Sequence, residues 1–313
     1  MNTRIVIDVL TVEGPTASGK TALAIELAAR LKGEIVSADS MAVYKYMNVG
    51  TAKPDVLEQS RAVFHLIDCV EPEEEYNAGQ YEADAARVME DIRSRGLLPI
   101  LCGGSGLYIK AALEGLDSDV PQCDPRVRSL VERVYRRKGP DYMRELLRQA
   151  DPEIYARTDA QNPRRVLRLI EIMKQTGRTA TEVFARPNAR KKALRSLRFG
   201  LTMDRAHLYR RINERVDRML AEGLEDEARL LMSRGSVTAL QAIGYKEMAE
   251  YLRGECSLET AAENIRTATR HLAKRQISWF GREKSIIWID MEKHSPRTAA
   301  EEIIRRLEDE VRL

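Results

Sequence analysis

The stretch Gly14 to Thr21, GPTASGKT, decides the fold of this 313-residue chain. It follows the apolar run IVIDVLTV and precedes the helix-like segment TALAIELAARLKG, so the order strand, glycine-rich loop, helix is predicted. Backbone N–H groups of such a loop point inward at the positive end of a helix dipole, which makes a site for a diphosphate or triphosphate. The G-x-x-x-x-G-K-[ST] pattern is matched at every fixed position.

Each fixed position of this phosphate loop has an expected role. Gly14 and Gly19 permit the tight backbone. Lys20 is expected to reach the terminal phosphates, and the Thr21 hydroxyl is expected to ligate Mg²⁺, the predicted cofactor. The alternative is a glycine turn that binds no ligand. The predicted diphosphate-binding residues are Gly14, Pro15, Thr16, Ala17, Ser18, Gly19, Lys20 and Thr21.

The composition is that of a helix-rich protein with no membrane segment. The net charge of +3 does not by itself indicate nucleic acid, but the acid-free stretch 186–198 and the basic stretch 266–284 predict polyanion binding on particular faces. The four cysteines lack C-x-x-C spacing, which argues against a disulfide framework or a zinc module. No run is long enough to span a bilayer and no leader is visible, so we expect a cytoplasmic monomer without an obligate protein partner.

Short apolar runs separated by amphipathic stretches predict a parallel sheet between two layers of helices. These runs are IVIDVLTV, EIVSA, LLPILC, LRFGLTM and SIIWID. Between Gly115 and about Ser196 only helix-like segments occur, and Asn162 with Pro163 starts the last of them, which Gly177 ends. The predicted fold is α/β: a P-loop three-layer core (1–115 and 197–313, the latter with C-terminal helices) and an all-helical insertion domain (116–196).

A second acidic group distinguishes the chemistries that share a phosphate loop, such as those of kinases, GTPases and ATPases. The strand LLPILCGG ends in glycines rather than a carboxylate, and no N-K-x-D guanine motif occurs. Asp39 and Asp68 are the acids at predicted strand ends. Asp39 lies at the C-terminal edge of the second strand, where ligands of open α/β sheets bind. It is expected to hold magnesium through water or to act as a general base; the alternative is a turn cap.

Seven segments, in order from Gly14 to about Phe280, resemble the successive motifs of the bacterial tRNA dimethylallyltransferase family. They are GPTASGKT, SADSMAVYKYMNVGTAKP, HLID, ILCGGSGLYIKAALEGL, QNPRRVLRLIEI, AIGYKE and HLAKRQISWF. DSxxVYxxMxxGTAKP together with KRQxxW is specific, because a nucleotide kinase would share only the phosphate loop. There are two departures. Ser105 replaces the usual Thr and keeps a hydroxyl, and Gln241 stands where a basic RNA contact, Arg, is common.

The resemblance implies a magnesium-dependent prenyl transfer to tRNA. In that family the loop holds dimethylallyl diphosphate rather than ATP, and the dimethylallyl group passes to the exocyclic amine of an adenosine next to the anticodon. Charge develops on the departing diphosphate, so loop amides, Lys20 and magnesium would stabilise it. The resemblance makes Asp39 the acceptor of the amine proton and lets Thr21 support the metal or diphosphate. It places Arg215 near the diphosphate, with Arg211 as a helper.

The resemblance also implies extensive tRNA contacts, because a stacked adenosine must be extruded into a channel before it can react. Arg266, Arg270 and Lys274 recur every four residues along one helix. Beside the family motif, phosphate binding by Arg270, Lys274 and Arg275 is preferred over a merely solvated helix face. The insertion domain is expected to close on the anticodon stem. The predicted tRNA-binding residues are Asp39, Ser40, Met41, Ala42, Ser105, Gln161, Asn162, Pro163, Arg164, Arg165, Gly244, Tyr245, Lys246, Arg270, Lys274, Arg275 and Gln276.

Two other functions stay open from the sequence. An adenylate isopentenyltransferase would use the same donor with a free nucleotide as acceptor, but it would not need QNPRR and the KRQ helix. A non-catalytic P-loop RNA-binding module would not need Asp39.

Overall fold

The chain is organised as two compact units, one of which is built from both ends of the sequence. The computed structural model describes residues 7–116, 120, 123–185, 194–236 and 238–312. One unit comprises Met1–Glu114 with Ala193–Leu313, and the other comprises Gly115–Lys192. Most of the stretch 186–198, predicted from its charge to bind polyanions, therefore lies outside the described residues.

A single sheet of six strands forms the centre of the first unit. All the strand pairs are parallel, in the order β3-β2-β4-β1-β5-β6. The strands are β1 Val9–Glu13, β2 Gly33–Ala38, β3 Phe64–His65, β4 Leu98–Gly103, β5 Ser196–Thr202 and β6 Ile286–Asp290. Strand β1 begins later than the apolar run IVIDVLTV and ends directly before the phosphate loop. The predicted parallel α/β fold is confirmed.

Nine described helices belong to this unit. They are α1 Lys20–Leu31, α2 Val56–Arg61, α3 Ala78–Ser94, α4 Gly106–Glu114, α9 Arg205–Ala221, α10 Leu224–Ser233, α11 Tyr245–Leu252, α12 Leu258–Phe280 and α13 Pro296–Arg312.

The sheet is covered on both faces because successive strand residues point to opposite sides. Leu10 and Ile100 pack with α1 and α13 in one buried cluster. Their neighbours Val9 and Leu101 pack with α3 and α4 in another, around the fully buried Tyr81. This arrangement is the three-layer core that the apolar runs predicted.

The helices α9 to α12 form a further hydrophobic cluster with the segment that follows β2. Val43 and Met47 from that segment pack there with Val216 of α9 and Tyr245 of α11. A smaller cluster of α9 and α12 residues contacts Ala17 of the phosphate loop. These contacts hold α9 and α12 beside the loop, so both helices contribute side chains to its surroundings.

The described residues of the second unit form four helices and no strand. They are α5 Pro125–Ala150, α6 Pro152–Arg157, α7 Pro163–Thr176 and α8 Ala180–Phe184. Gly139, with φ of 80°, interrupts α5 just before Pro140. Helix α7 begins with the Asn162 side chain accepting from the Arg164 N–H at 3.1 Å and ends at Gly177 with φ of 66°, as predicted.

No helix among the described residues is both long and apolar enough to cross a membrane. The four cysteines are free, as their spacing predicted.

Candidate active site at the phosphate loop

The phosphate loop connects β1 to α1 at the carboxyl end of the sheet. Gly14 has φ of 143° and Gly19 has φ of 95°, backbone conformations that side chains with a Cβ rarely adopt. A Cβ on Gly14 would also lie 3.0 Å from the Leu201 carbonyl oxygen. Ala17 adopts φ of 64°, which costs on the order of 1 kcal/mol for a residue other than glycine. Such strain is typical of a backbone shaped to bind a ligand.

Two polar side chains of the loop, those of Lys20 and Ser18, have no charged hydrogen-bond partner among the described residues. The Lys20 Nζ donates to the Pro15 carbonyl at 2.6 Å, a neutral acceptor. Burial lowers the pKa of Lys20 to about 8, while the Asp39 carboxylate acts in the opposite direction. The Ser18 hydroxyl is fully buried and has no hydrogen-bond partner in the described part of the chain. Unpaired buried polar groups are rare, so the Ser18 hydroxyl fits a site that a ligand completes. The Lys20 ammonium, which has only a neutral acceptor, fits a bound anion.

Arg215 of α9 reaches the same loop. Its Nη1 donates to the Thr16 hydroxyl at 3.1 Å and its Nη2 to the Thr51 carbonyl at 2.8 Å. Burial lowers the pKa of Arg215, and the Asp39 carboxylate raises it. Over the described ranges Arg215 forms no ion pair, so its charge lacks a directly bonded carboxylate. The predicted placement of Arg215 near the loop agrees with this geometry; its role in the reaction stays a prediction.

A cleft of about 1020 Å³ opens beside these side chains. It is bounded by the phosphate loop, the segment 48–59 and helix α9. Its basic lining residues are Lys20, Lys53, His207, Arg211, Arg215 and Arg218. Acidic side chains line the cleft as well, namely Asp55, Glu58, Asp68, Glu214 and Glu222. Lys20 and Arg215, which have no carboxylate partner among the described residues, lie at the phosphate-loop end of the cleft, so an anionic ligand fits best there.

Asp39 follows β2 and has one oxygen engaged. Its Oδ1 accepts from the N–H groups of Met41 at 2.8 Å and Ala42 at 3.3 Å, so the turn cap considered above is present. For Oδ2 the described residues provide no hydrogen-bond partner. The charge of Asp39 acts on Lys20 and Arg215. The carboxylate can therefore cap the turn and still accept a proton.

Ser105 fixes the backbone next to Asp39. Its hydroxyl accepts from the Ser40 N–H at 3.0 Å, and its own N–H donates to the Ala38 carbonyl at 3.0 Å. The ends of β2 and β4 are thereby joined. The hydroxyl that Ser105 retains in place of the usual Thr makes this bond.

Gln276 of α12 braces the phosphate loop. Its Oε1 accepts from the Thr16 N–H at 2.8 Å, and its Nε2 donates to the Gly104 carbonyl at 3.0 Å. A Cβ on Gly104 would lie 2.3 Å from that Nε2, so only glycine leaves room for the amide. Gln276 was predicted from sequence to contact tRNA. In the structure both polar atoms of its side chain form hydrogen bonds with the backbone at Thr16 and Gly104.

Lys53 is a cleft residue that sequence reasoning did not select, and Asp68 was named there only as an acid at a predicted strand end. The Lys53 side chain is 3% exposed, and its ammonium bonds Asp68 Oδ1 at 2.6 Å and Asn48 Oδ1 at 3.1 Å. Burial lowers the pKa of Lys53. Both residues line the cleft. The segment GTAKP, which contains Lys53, was the available signal.

The residues predicted around the GYK segment differ in exposure. Gly244 and Tyr245 are buried, and the Tyr245 hydroxyl donates to Glu227 Oε1 at 2.6 Å. Tyr245 therefore supports the protein interior instead of presenting a surface to tRNA. Lys246 is exposed. Ser40 and Met41 follow Asp39 and are partly exposed, while Ala42 is buried.

The basic ridge on α12 is partly neutralised. Arg266 pairs with Asp217 and Glu263, and Arg270 pairs with Glu263. Lys274 and Arg275 are exposed and form no ion pair with any described residue. The ridge predicted from helical spacing thus offers fewer available charges than its sequence indicates.

Arg198, at the end of the acid-free stretch, is also paired. It is 8% exposed and binds the buried Glu13 of β1 through two hydrogen bonds of 2.7 and 2.8 Å. The neighbouring Arg195 pairs with Asp8 at 3.1 Å. These two arginines stabilise the junction of β1 and β5, so the polyanion-binding face predicted from charge does not include them.

In the second unit, the predicted tRNA-binding residues lie around the start of α7. Gln161, Pro163, Arg164 and Arg165 are exposed, and Asn162 caps the helix. Arg165 lies 3.5 Å from Asp159.

Thr21 is the candidate magnesium ligand at the start of α1. The described residues contain no group of three or more His, Cys, Asp or Glu side chains that could hold a metal. Mg²⁺ bound with a phosphorylated substrate commonly uses one or two protein oxygens together with phosphates and water. Thr21 at the start of α1 fits this kind of site and not an all-protein cage.

A strained glycine-rich loop at the carboxyl end of a parallel sheet, with the partly buried cations Lys20 and Arg215 beside it, defines a P-loop protein built to bind a phosphorylated ligand.

Comparison with known proteins identifies the family. Residues 42–283 match the family model described as IPP transferase. The tRNA dimethylallyltransferase of Carboxydothermus hydrogenoformans is 41% identical over 297 residues, covering 94% of this chain and 96% of that protein. The chain belongs to the IPP transferase family, and the resemblance derived from its motifs is confirmed.

Solved structures give the same result. The crystal structure of the full-length tRNA isopentenylpyrophosphate transferase from Bacillus halodurans matches with a TM-score of 0.69 and 36% identity, covering 96% of this chain and 97% of the other. A eukaryotic dimethylallyltransferase acting on tRNA matches with a TM-score of 0.75 and 29% identity, covering 90% and 73%.

Proposed function

We propose that this protein transfers the dimethylallyl group of dimethylallyl diphosphate to the exocyclic amine of an adenosine next to the anticodon of tRNA. One observation carries the proposal: Lys20 and Arg215 converge on the phosphate loop with only neutral hydrogen-bond acceptors. Family membership favours tRNA as acceptor over a free nucleotide, and an enzyme over a non-catalytic module.

The donor diphosphate is assigned to the loop 14–21. Cleavage of the allylic carbon–oxygen bond leaves both bonding electrons on the diphosphate, so its charge grows in the transition state. Loop N–H groups, the Lys20 ammonium and the Arg215 guanidinium would stabilise that charge, because they are fixed in place before the reaction. Mg²⁺, when bound by the Thr21 hydroxyl and the diphosphate, would supply further positive charge.

Asp39 is assigned to the acceptor side. The amine nitrogen forms a bond to the allylic carbon and must lose one proton. We assign the proton to Asp39, whose Oδ2 lacks a partner within the described chain while Oδ1 holds the turn. A side chain whose position is fixed in this way is suited to general base catalysis.

The tRNA would bind through exposed basic groups. The residues that support this assignment are Lys274 and Arg275 on α12 and the exposed start of α7 at 161–165. A monomeric state and a cytoplasmic location stay predictions.

The test is a transfer assay with radiolabelled dimethylallyl diphosphate and three acceptor conditions: an anticodon stem-loop, AMP, and no acceptor. Label in the stem-loop is expected. Label in AMP would instead support the adenylate isopentenyltransferase. Stem-loop binding without incorporation of label would support a non-catalytic RNA-binding module. ATP added alone should not be consumed.

A further inference from the structure

One carboxylate outside the cleft organises the segment 48–53, which forms part of the cleft wall. Glu227, half-buried in the first turns of α10, accepts hydrogen bonds from three successive backbone N–H groups and one phenol. Its donors are Asn48 N at 2.7 Å, Val49 N at 3.0 Å, Gly50 N at 3.0 Å and Tyr245 Oη at 2.6 Å.

This arrangement depends on the charge of Glu227. Hydrogen bonds to an ionised acceptor are roughly twice as strong as neutral ones. An amide in the same place would accept through one oxygen only and would turn its NH₂ group toward the donors. Backbone N–H groups left without an acceptor would favour a different conformation of the segment.

The Tyr245 ring also supports the segment 48–53, on which it packs at Gly50. A Cβ on Gly50 would lie 2.5 Å from Cζ of Tyr245, so the backbone rests directly on that ring. Tyr245 is 0% exposed and cannot move aside without disturbing the surrounding core. The hydrogen bonds of Glu227 and the packing of Tyr245 thus fix the position and the orientation of the segment together.

The segment in turn holds a cation of the site. The Thr51 carbonyl, one residue beyond Gly50, accepts from Arg215 Nη2 at 2.8 Å. The other end of that guanidinium contacts the Thr16 hydroxyl at 3.1 Å. A continuous path of direct hydrogen bonds and one short stretch of backbone therefore joins Glu227 to the phosphate loop.

We propose that Glu227 is a positioning residue for the prenyl transfer: it holds the segment 48–53 so that the Thr51 carbonyl orients Arg215 toward the donor diphosphate. The inference rests on the proposed function only for the identity of the ligand. Inorganic pyrophosphate, which presents the same diphosphate chemistry, serves as a second probe that needs no turnover.

The experiment compares three variants. Glu227→Gln is expected to lower kcat/KM for dimethylallyl diphosphate about tenfold or more and to weaken pyrophosphate binding, since a small misplacement of a catalytic group has large effects. Tyr245→Phe keeps the buried ring, removes one donor and should lower kcat/KM less.

Glu225→Gln is the control: it makes the same charge change on α10, where Glu225 pairs with Arg229 at 2.8 Å, and should leave kcat/KM and pyrophosphate binding unchanged. Stem-loop affinity should match the parent in all three.

Coupling to Arg215 separates positioning from general stability. If Glu227 acts through Arg215, the double variant Glu227→Gln/Arg215→Ala should lose no more kcat/KM than Arg215→Ala alone. Independent, multiplicative losses would overturn the inference. So would unchanged donor kinetics in Glu227→Gln, or, should that protein not fold, in Tyr245→Phe. If the parent shows no transfer at all, the proposed function fails, whereas the effect on pyrophosphate binding still tests the role of Glu227.

Discussion

The phosphate loop and the α12 ridge both carry cations, but the cations of the two regions have different hydrogen-bond acceptors. At the phosphate loop, Lys20 and Arg215 donate to carbonyl and hydroxyl oxygens, whereas Lys53 elsewhere in the cleft pairs with Asp68. On the ridge, Arg266 and Arg270 donate to carboxylates. A partly buried cation without a carboxylate costs free energy, so its retention indicates that a ligand supplies the missing negative charge. A paired arginine on a helix surface needs no such partner. The acceptor of each cation is therefore more informative than the spacing of the cations.

The largest expected effect concerns Asp39, which lies beside the cleft cations. Asp39→Asn should keep the cap to Met41 and Ala42 through its remaining oxygen and lose the proton acceptor. We expect transfer to fall about a hundred- to ten-thousand-fold, the usual contribution of a general base, with stem-loop affinity retained. Single-turnover rates would measure the loss. A fully active Asn variant would assign Asp39 to the cap alone.

A second prediction tests whether the cleft cations are available to the ligand. Because burial lowers the pKa of Lys20 to about 8, the ammonium is present below that pH and is lost as the pH rises through it. The neutral amine attracts the diphosphate less, so kcat/KM for dimethylallyl diphosphate should fall about tenfold per pH unit above pH 8. The Lys20→Ala variant should be slower throughout and lack this step. A parent profile that stays level up to pH 9.5 would contradict the prediction.

The smallest expected effect concerns the ridge. Spacing alone predicts that replacing Arg270, Lys274 and Arg275 lowers the salt dependence of tRNA affinity by about two to three counterions. The structure sharpens this prediction, because Arg270 is already paired with Glu263. Lys274→Ala and Arg275→Ala should each reduce the slope of log affinity against log salt by about 0.7 to 0.9, and Arg270→Ala by less. Equal reductions of the slope in all three variants would show that the pairing of Arg270 with Glu263 does not affect tRNA binding.

Local patterns in the sequence were sufficient for the fold class, although β3 was not among the apolar runs that predicted the sheet. Each pattern that predicted an element spans only a few residues: the phosphate loop, the apolar runs of the sheet, and the helix signals at Asn162 and Gly177. Such patterns can be recognised from the sequence alone. The start of β1 was predicted too early because apolar character alone does not define where pairing begins. Ile7 and Asp8 lie outside the strand.

The internal bracing of the site was not predictable, because its partners are far apart in sequence. Gln276 meets Thr16 across 260 positions, and Glu227 meets Asn48 across 179. Neither side chain has a local feature that reveals its partner. The polyanion-binding role predicted for Arg198 was wrong for the same reason. The run of basic residues contains the arginine, but its partner Glu13 lies 185 positions away in the sequence. Only the sheet order, which sets β5 beside β1, brings those two together.

The central place of β1 has a consequence for how the protein is made. Its two neighbours are β4, which ends at Gly103, and β5, which begins at Ser196. A nascent chain on the ribosome therefore carries β1 with one edge unpaired until the whole second unit has been synthesised. The brace from Gln276 comes later still. All the residues that line the cleft, up to Glu222, are translated before Gln276 can brace the phosphate loop. A chaperone that shields an open strand edge would act during this interval.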